Sequence, residues 1–401
     1  MKRIVILCDG TWNSADAETP TNVVKLAQAL RPIDPTGIVQ VPIYIQGVGN
    51  GEGVTRLSRL LDKTLGGAFG LGLLEKVVDA YRHLVFLYEP GDEVYIFGFS
   101  RGAYTARSLV GLLRSSGIVP RDKIQKISTA VARYRQRDKD EFHPSSEESH
   151  KFRAHELHSY VATSPKEQNW RETNRIDPGP LLQVEYVGVW DSVGALGVPA
   201  HIPVLGRLTQ RKYRFHDAQL SSMVKSARHA VAIDEHRPAF LPTNWDNVDK
   251  LNSKSGSSER PYREEYFAGD HGSVGGGGDI TGLSSIALAW IMEGAMACGL
   301  NFSATHIAEN EKQFDPEAPL RNFKNPRSGI FDKLMRRNPI NRKGPALVRD
   351  INLAARNRWV KETKAHGTQP YRPETLKHLR NDIIAWHAQE TGQDGDDTRL
   401  T

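Results

Sequence analysis

The stretch Val94-Tyr95-Ile96-Phe97-Gly98-Phe99-Ser100-Arg101-Gly102 joins an apolar run to the pattern Gly-x-Ser-x-Gly. The apolar run predicts a buried strand, and the spacing of apolar residues from Arg101 to Leu113 predicts a helix. A serine placed between a strand and a helix lies on a sharp, strained turn that holds its hydroxyl above the sheet. The stretch therefore predicts a nucleophile elbow with Ser100 as the nucleophile. A serine turn with a purely structural role is the alternative interpretation.

Short β-branched or aromatic runs alternate along the chain with longer segments of helical spacing. The predicted strands are 4–7, 39–45, 93–97, 184–190 and 265–269, and the predicted helices are 22–30, 72–88, 101–113, 283–298 and 374–389. Residues 228–233 fit either a helix or a strand. This alternation is typical of a mostly parallel sheet with helices on both faces. Together with the elbow it predicts an α/β fold of the α/β-hydrolase-like kind.

Two segments differ in composition from this alternating pattern. Residues 121–180 are rich in charge and predict a helical insertion where α/β hydrolases often carry a cap; a poorly ordered surface excursion is the alternative. Beyond residue 314 the chain is basic and interrupted by prolines. We therefore predict a catalytic domain over 1–313, which includes the insertion, and a basic, partly helical extension over 314–401 that packs on it or follows it. The glycine-rich segment 47–72 predicts a mobile loop, and 392–401 a tail.

The overall composition limits the class of protein. The 401 residues are 39% hydrophobic and 25% charged, which is typical of a soluble globular protein with a sizeable core. The two cysteines, Cys8 and Cys298, are far apart and indicate no disulfide framework, so a reducing compartment is expected. No apolar run approaches about 18 residues, and no signal peptide is recognisable. We expect synthesis in the cytoplasm, and export by a dedicated secretion system stays open.

A serine nucleophile requires a base and an acid that orients the base. In α/β hydrolases these residues follow in the order Ser, Asp or Glu, His, each at the carboxyl end of a strand. Asp191 directly follows one predicted strand, and His271 follows another just before a run of glycines. The sequence therefore predicts Ser100, Asp191 and His271 as a catalytic triad.

Other residues compete for the roles of acid and base. Asp234 is the alternative acid, and His229 and His236 are the rival bases among 14 histidines. No closely spaced ligand pair of the His-Glu-x-x-His type indicates a metal site. A dinucleotide motif fails because its third glycine would fall at Glu52. We therefore expect no cofactor and no metal.

An oxyanion hole would need two N–H donors directed at the reacting carbonyl. The backbone of Arg101, at the start of the helix, is the first candidate. Gly10 and Thr11, in the loop after the first strand, supply the second. A capped turn is the equally weighted alternative for that loop, because Asp and Asn often bond their own backbone.

Several segments resemble a known family, the α/β-hydrolase family of unknown function that includes the catalytic domain of type VI secretion lipase effectors. The resemblance implies the triad Ser100–Asp191–His271 and, in the effector branch, hydrolysis of phospholipid esters. This chain has Ser273 where the family usually has Asp two residues after the histidine. The matching segments lie within roughly the first 300 residues and are Asp9-Gly10-Thr11-Trp12-Asn13, Gly98-Phe99-Ser100-Arg101-Gly102-Ala103-Tyr104-Thr105-Ala106-Arg107, Val189-Trp190-Asp191-Ser192-Val193-Gly194-Ala195-Leu196-Gly197, Ala232-Ile233-Asp234-Glu235 and Phe267-Ala268-Gly269-Asp270-His271.

We therefore expect a serine hydrolase that cleaves an ester, with a phospholipid or another acyl lipid as substrate. A soluble carboxylesterase or thioesterase is one alternative, and a catalytically retired scaffold used for binding is another. A secretion or immunity partner stays open, and no nucleic-acid partner is expected because no binding module accompanies the positive charge.

Basic and large apolar residues are interleaved between Arg321 and Arg349. Such a mixture fits a solvated loop that packs its apolar residues on the core, and peripheral contact with an anionic membrane is the alternative. The cations selected for this contact are Arg336, Arg337, Arg342 and Lys343.

Overall fold

The computed structural model describes residues 1–11, 13–48, 67–136, 140–194, 219–324, 339–361 and 370–391. Within them, six strands form one sheet in the order β2-β1-β3-β4-β5-β6, and every neighbouring pair is parallel. This confirms the predicted α/β class, and residues 228–232 of the segment left open above belong to a strand. The strands are β1 (Arg3–Cys8), β2 (Gln40–Ile45), β3 (Glu93–Phe99), β4 (Val184–Trp190), β5 (Val224–Ala232) and β6 (Tyr262–Phe267).

Helices connect and cover the strands, with short 3₁₀ turns in the insertion and the C-terminal part. The α-helices in chain order are α1 (Asn22–Ala29), α2 (Gly67–Leu87), α3 (Arg101–Ser116), α4 (Ile127–Tyr134), α5 (Glu147–Lys151), α6 (Pro165–Thr173), α7 (Val248–Ser255), α8 (His271–Gly275), α9 (Gly282–Ala297), α10 (Ala304–Glu311), α11 (Leu353–Val360) and α12 (Arg380–Thr391). The predicted mobile loop falls largely on residues 49–66, and the predicted tail on 392–401; both lie outside the described residues.

The sheet is buried on both faces, which explains why its central strands are continuously apolar. In β1, Ile4 and Ile6 face α2 and α3, whereas Val5 and Leu7 face α1 and α9. Side chains of a strand alternate between the faces, so each face receives every second residue. Because all six strands are parallel, their carboxyl ends meet at one edge of the sheet. The three predicted triad residues follow β3, β4 and β6 at this edge.

The described parts of the C-terminal extension pack on the β5–β6 side of the sheet. Ile351 forms an isolated parallel bridge with Tyr266 of β6. Trp359 and Ile383 are buried in one apolar cluster with Val231 of β5. The helix predicted over 374–389 is a 3₁₀ turn followed by α12. The extension therefore shares a hydrophobic core with the sheet.

The insertion between α3 and β4 is helical, as predicted, and its described contacts lie at the amino ends of the strands. The Tyr160 hydroxyl donates to the Tyr88 carbonyl just before β3, and Arg153 donates to the Ser115 carbonyl. Ser115 lies near the end of α3, a helix of 16 residues and thus about 24 Å long. A cap would contact the region around Ser100, whereas the insertion contacts described here lie at the opposite end of the sheet.

A buried charge cluster anchors the insertion. Glu167 accepts hydrogen bonds from Arg153 and Arg171, each at 2.8 Å, and all three side chains are at most 2% exposed. We expect Glu167→Gln to lower the free energy of unfolding by about 3–5 kcal/mol, because it leaves two buried guanidinium groups without a counter-charge. Urea denaturation measures the change. Glu147→Gln, which removes the charge from an exposed pair with Lys151, should change stability by less than about 1 kcal/mol. Equal stability of the two variants would contradict the prediction.

Candidate active site

Ser100 lies at a strained turn between β3 and α3. Its backbone has φ 59° and ψ −123°, a conformation that non-glycine residues rarely adopt and that costs free energy. A Cβ atom at Gly102 would lie only 2.2 Å from the Cys8 carbonyl oxygen. A Cβ atom at Gly98 would lie 2.5 Å from the Gly102 carbonyl oxygen. The two glycines therefore let α3 begin directly against β1 and β3, which is the backbone geometry of a nucleophile elbow.

Asp191 and His271 are brought together at the same edge of the sheet. The Oδ2 atom of Asp191 lies 2.5 Å from Nδ1 of His271, and both residues are buried. Asp191 follows β4 with φ 38°, again an unusual value for a residue with a side chain. His271 is the first residue of α8, after β6. A carboxylate in this position fixes the tautomer of the imidazole and leaves Nε2 free to act on a proton.

Two aromatic rings hold the imidazole of His271. Its centroid lies 4.7 Å from the ring of Phe99 and 4.8 Å from the ring of Phe240. Phe99 directly precedes Ser100, so the base packs against the neighbour of the proposed nucleophile. The Phe99 ring also occupies the space beside Gly275, where a Cβ atom would lie 1.9 Å from it.

Asp234, the alternative acid, has other partners. Its Oδ2 atom accepts hydrogen bonds from the Gly269 N–H at 2.7 Å and from the Tyr371 hydroxyl at 2.9 Å. Burial raises the pKa of this carboxyl, although both hydrogen bonds oppose the shift. These contacts tie the turn after β6 to the C-terminal extension, which is a structural role.

The rival bases are placed differently from His271. His229 is buried in β5, and its Nδ1 atom lies 2.8 Å from the Glu264 carboxylate. Its Nε2 atom accepts the N–H of Ser192 at 3.1 Å, so both ring nitrogens are already used. His236 is exposed, and its Nδ1 atom lies 3.1 Å from the carbonyl oxygen of Ile340. His229 therefore supports the turn that carries Asp191, and His236 lies at the surface.

The loop after β1 is organised by the buried carboxylate of Asp9. This group accepts the N–H of Gly10 at 2.7 Å, the Tyr44 hydroxyl at 2.8 Å and the Thr21 hydroxyl. Burial raises the pKa of Asp9, and these hydrogen bonds oppose the shift. The N–H of Gly10 is thus directed at a carboxylate instead of the reacting centre. The capped turn that the sequence left open is present at this position.

The same loop still approaches the elbow. A Cβ atom at Gly10 would lie 3.3 Å from Cβ of Ser100. The guanidinium of Arg101 donates to the Thr11 hydroxyl at 3.0 Å, which joins the loop to the first turn of α3. Arg101 and Thr11 therefore lie on facing segments beside Ser100.

Arg342 lies at the candidate site and not at a membrane-facing surface. It was predicted to contact a membrane surface, but its side chain is buried against Asp191. Its Nη1 atom lies 2.6 Å from Oδ1 and its Nη2 atom 2.9 Å from Oδ2. Burial alone would raise the pKa of Asp191, but Arg342 and then His271 hold it well below its usual range. The other predicted membrane cations, apart from exposed Lys343, lie outside the described residues.

No local signal in the sequence identifies Arg342, because 151 positions separate it from Asp191. Among the described residues, no group of three or more His, Cys, Asp or Glu side chains could hold a metal ion. Within the same ranges, no helix has both the length and the apolar character needed to span a bilayer.

A parallel sheet with a strained serine elbow, and with a paired aspartate and histidine at its carboxyl edge, defines an α/β-hydrolase-like protein. The chain belongs to the family described as type VI secretion system phospholipase effector Tle1-like, catalytic domain, whose model matches residues 2–294. This membership supports a lipase or more general hydrolase function. Arg342 lies beyond the matched residues.

Individual relatives are distant. An uncharacterised protein of Saccharomyces cerevisiae, YEL023C, is 28% identical over 246 residues, which are 60% of this chain and 32% of that protein. An uncharacterised protein from Pseudomonas aeruginosa aligns with the whole chain and 55% of its own, at 16% identity and a TM-score of 0.45. A Tle1 effector bound to the VgrG spike of the type VI secretion system aligns over 70% of this chain and 52% of its own, at 18% identity and a TM-score of 0.35. The chain thus spans about a third to a half of these relatives.

Proposed function

We propose that the protein is a serine hydrolase that cleaves ester bonds of acyl lipids, with phospholipids as the foremost substrates. One observation carries the proposal: Asp191 and His271 are paired at 2.5 Å, at the sheet edge where the strained elbow presents Ser100. Membership of a family of phospholipase effector catalytic domains supports the substrate class.

The mechanism uses the three residues in sequence. Ser100 Oγ attacks the acyl carbonyl while His271 Nε2 accepts its proton, and a tetrahedral intermediate forms. The ester C–O bond then breaks, and the imidazolium gives the proton to the leaving alcohol. Asp191 keeps the proton on Nδ1 and stabilises the imidazolium. Water, activated by the same histidine, releases the fatty acid and restores the Ser100 hydroxyl.

The oxyanion needs two donors, and we propose backbone N–H groups of Arg101 and Thr11 for these roles. Arg101 is the first residue of α3, where the helix dipole favours negative charge. Thr11 is the second proposed donor, because its loop faces Arg101. Gly10 is a poorer choice, because its N–H already donates to Asp9.

The experiment that tests the function is the release of fatty acid from phospholipid vesicles by the purified protein. Release from vesicles supports the lipid assignment. Hydrolysis confined to short, water-soluble esters would contradict it and favour a soluble carboxylesterase or thioesterase. No reaction with any ester, together with no labelling by a fluorophosphonate, would indicate a retired scaffold.

Family membership also supports two proposals about location. We propose that the chain is made in the cytoplasm and exported through a type VI secretion system, with a secretion or immunity protein as partner. Mass spectrometry of proteins released by cells with and without an active secretion system tests the export.

We propose that exposed cations of the extension make peripheral contact with an anionic membrane, without the buried Arg342. We expect the triple variant Lys324→Gln, Lys343→Gln, Arg349→Gln to bind anionic vesicles on the order of 100-fold more weakly at low salt. Each cation near the surface contributes about 1 kcal/mol, and the three side chains are exposed. Sedimentation with vesicles measures the change, and added salt should weaken wild-type binding.

The matched control removes the same charge elsewhere. Lys166, Lys254 and Lys312 are also exposed, and their replacement by Gln should leave vesicle binding near the wild-type level. Equal losses of vesicle binding in the two triple variants would show that binding depends only on net charge. This result would contradict a specific membrane-facing surface.

A further inference from the structure

We infer that Arg342, supplied by the C-terminal extension, is a positioning residue that holds the carboxylate of Asp191 in the orientation in which it meets His271. The inference rests on the proposed function, because it assigns Arg342 a task within the proposed triad. Arg342 lies outside residues 2–294, which the family model matches.

Both oxygens of Asp191 have fixed partners. Oδ1 receives Nη1 of Arg342 at 2.6 Å and the Ala232 N–H at 2.9 Å. Oδ2 receives Nη2 of Arg342 at 2.9 Å and lies 2.5 Å from Nδ1 of His271. A two-pronged guanidinium contact fixes the plane of a carboxylate as well as its position. Rotation of the carboxylate away from His271 would break the contact with Arg342 at the same time.

The guanidinium is itself held in place. Nη1 donates to the carbonyl of Ala232 at 2.8 Å, and Nη2 donates to the carbonyl of Phe240. The ring of Phe240 packs edge-on against the imidazole of His271. Phe240 thus contacts both Arg342, which orients Asp191, and His271, which Asp191 orients in turn. Asp191 and Arg342 are 0% and 3% exposed, so little water can compete for the contacts between them.

Several ionisable groups face Asp191 and decide how it titrates. These are Arg342 of the extension, His271 of α8 and Tyr266 of β6, while His229 of β5 binds the N–H of the adjacent Ser192. Burial disfavours the charged carboxylate, and Arg342 is the strongest influence that opposes this. Removal of Arg342 should therefore raise the pKa of Asp191. A protonated Asp191 no longer accepts a hydrogen bond from Nδ1 of His271. As the pH falls, the variant would therefore lose activity at a higher pH than the wild type does.

The test compares Arg342→Ala with Arg358→Ala in the full chain. Arg358 belongs to the same extension and is also buried, but its described partners are the carbonyls of Pro316 and Ala318 and the ring of Tyr371. The readout is the rate at which a fluorophosphonate labels Ser100, followed across pH, because this reaction requires the base but no knowledge of the substrate. Urea denaturation of each variant reports stability separately.

We expect Arg342→Ala to label Ser100 on the order of 100-fold more slowly, since a displaced catalytic group costs about this factor. As the pH is lowered, labelling of this variant should also stop at a higher pH than labelling of the wild type. Millimolar guanidinium ion should restore part of the rate in Arg342→Ala, because the ion fits the space left beside Asp191, and should have no effect on Arg358→Ala.

The contrary results are equally definite. Equal labelling rates and identical pH profiles in the two variants would reduce Arg342 to a structural cation and overturn the inference. If Arg342→Ala does not fold, Arg342→Lys against Arg358→Lys decides in the same way, because lysine keeps the charge but loses the two-pronged contact. A wild-type protein that is not labelled at Ser100 would overturn the proposed function itself. Normal labelling that is indifferent to Arg342 overturns only this inference.

Discussion

Ser100→Ala is expected to reduce ester hydrolysis by about 10³-fold or more. The alanine cannot form the acyl-enzyme, so only binding and the oxyanion donors would still act on the substrate. The substitution removes only a hydroxyl group and leaves in place Gly98 and Gly102, which allow the strained turn, so the fold should persist. The measurement is turnover of a chromogenic ester and of phospholipid vesicles by protein whose folding is confirmed by circular dichroism.

Ser115 provides a control in the same helix. It is buried near the end of α3, away from the elbow, and Ser115→Ala removes an identical hydroxyl. This variant should keep wild-type turnover. Undiminished turnover in Ser100→Ala would show that another residue carries the reaction.

Asp191→Asn is expected to reduce turnover by about 10⁴-fold, because an amide favours the wrong imidazole tautomer while it keeps the shape of the side chain. The structure adds a second cost, since the buried guanidinium of Arg342 would lose its counter-charge. Rates must therefore be measured on the folded fraction. Asp234→Asn should have a much smaller effect, because its partners are Gly269 and Tyr371.

The order of these two effects decides between the acids. A larger loss of turnover in folded Asp234→Asn than in folded Asp191→Asn would reverse the proposed assignment. His271→Ala should match Ser100→Ala, and the combination of the two should be no worse than either, because members of a triad act as a unit.

Local patterns were sufficient to locate five of the six strands and the candidate residues. The apolar run before Ser100 and the helix after it are short-range signals, and the structure has β3 and α3 there. Asp191 and His271 were proposed because each follows an apolar run, and parallel strands bring such positions to one edge. The segment 228–233 was left open because short apolar runs fit a buried strand as well as a helix.

The features that were missed depend on distant parts of the chain. Arg342 looked like one of many exposed cations, and only the packing of the extension on β5 and β6 brings it to Asp191. The Gly10 N–H donates to Asp9, and this hydrogen bond depends on a side-chain geometry that the residue types alone do not determine. The insertion lies at the amino ends of the strands because α3 leads the chain there. The composition of the insertion does not indicate at which end of the sheet it packs.

The separation of Asp191 and Arg342 along the chain has a consequence during synthesis. A ribosome adds roughly 5–20 residues per second, so the 151 positions between them take about 8–30 s to translate. During this interval β5 and β6 are synthesised, but Asp191 does not yet have the guanidinium of Arg342 as a partner. A charged carboxylate is poorly tolerated in a closed interior without that partner. The order of translation therefore postpones the contact between Asp191 and Arg342 until the distal segment has emerged and docked.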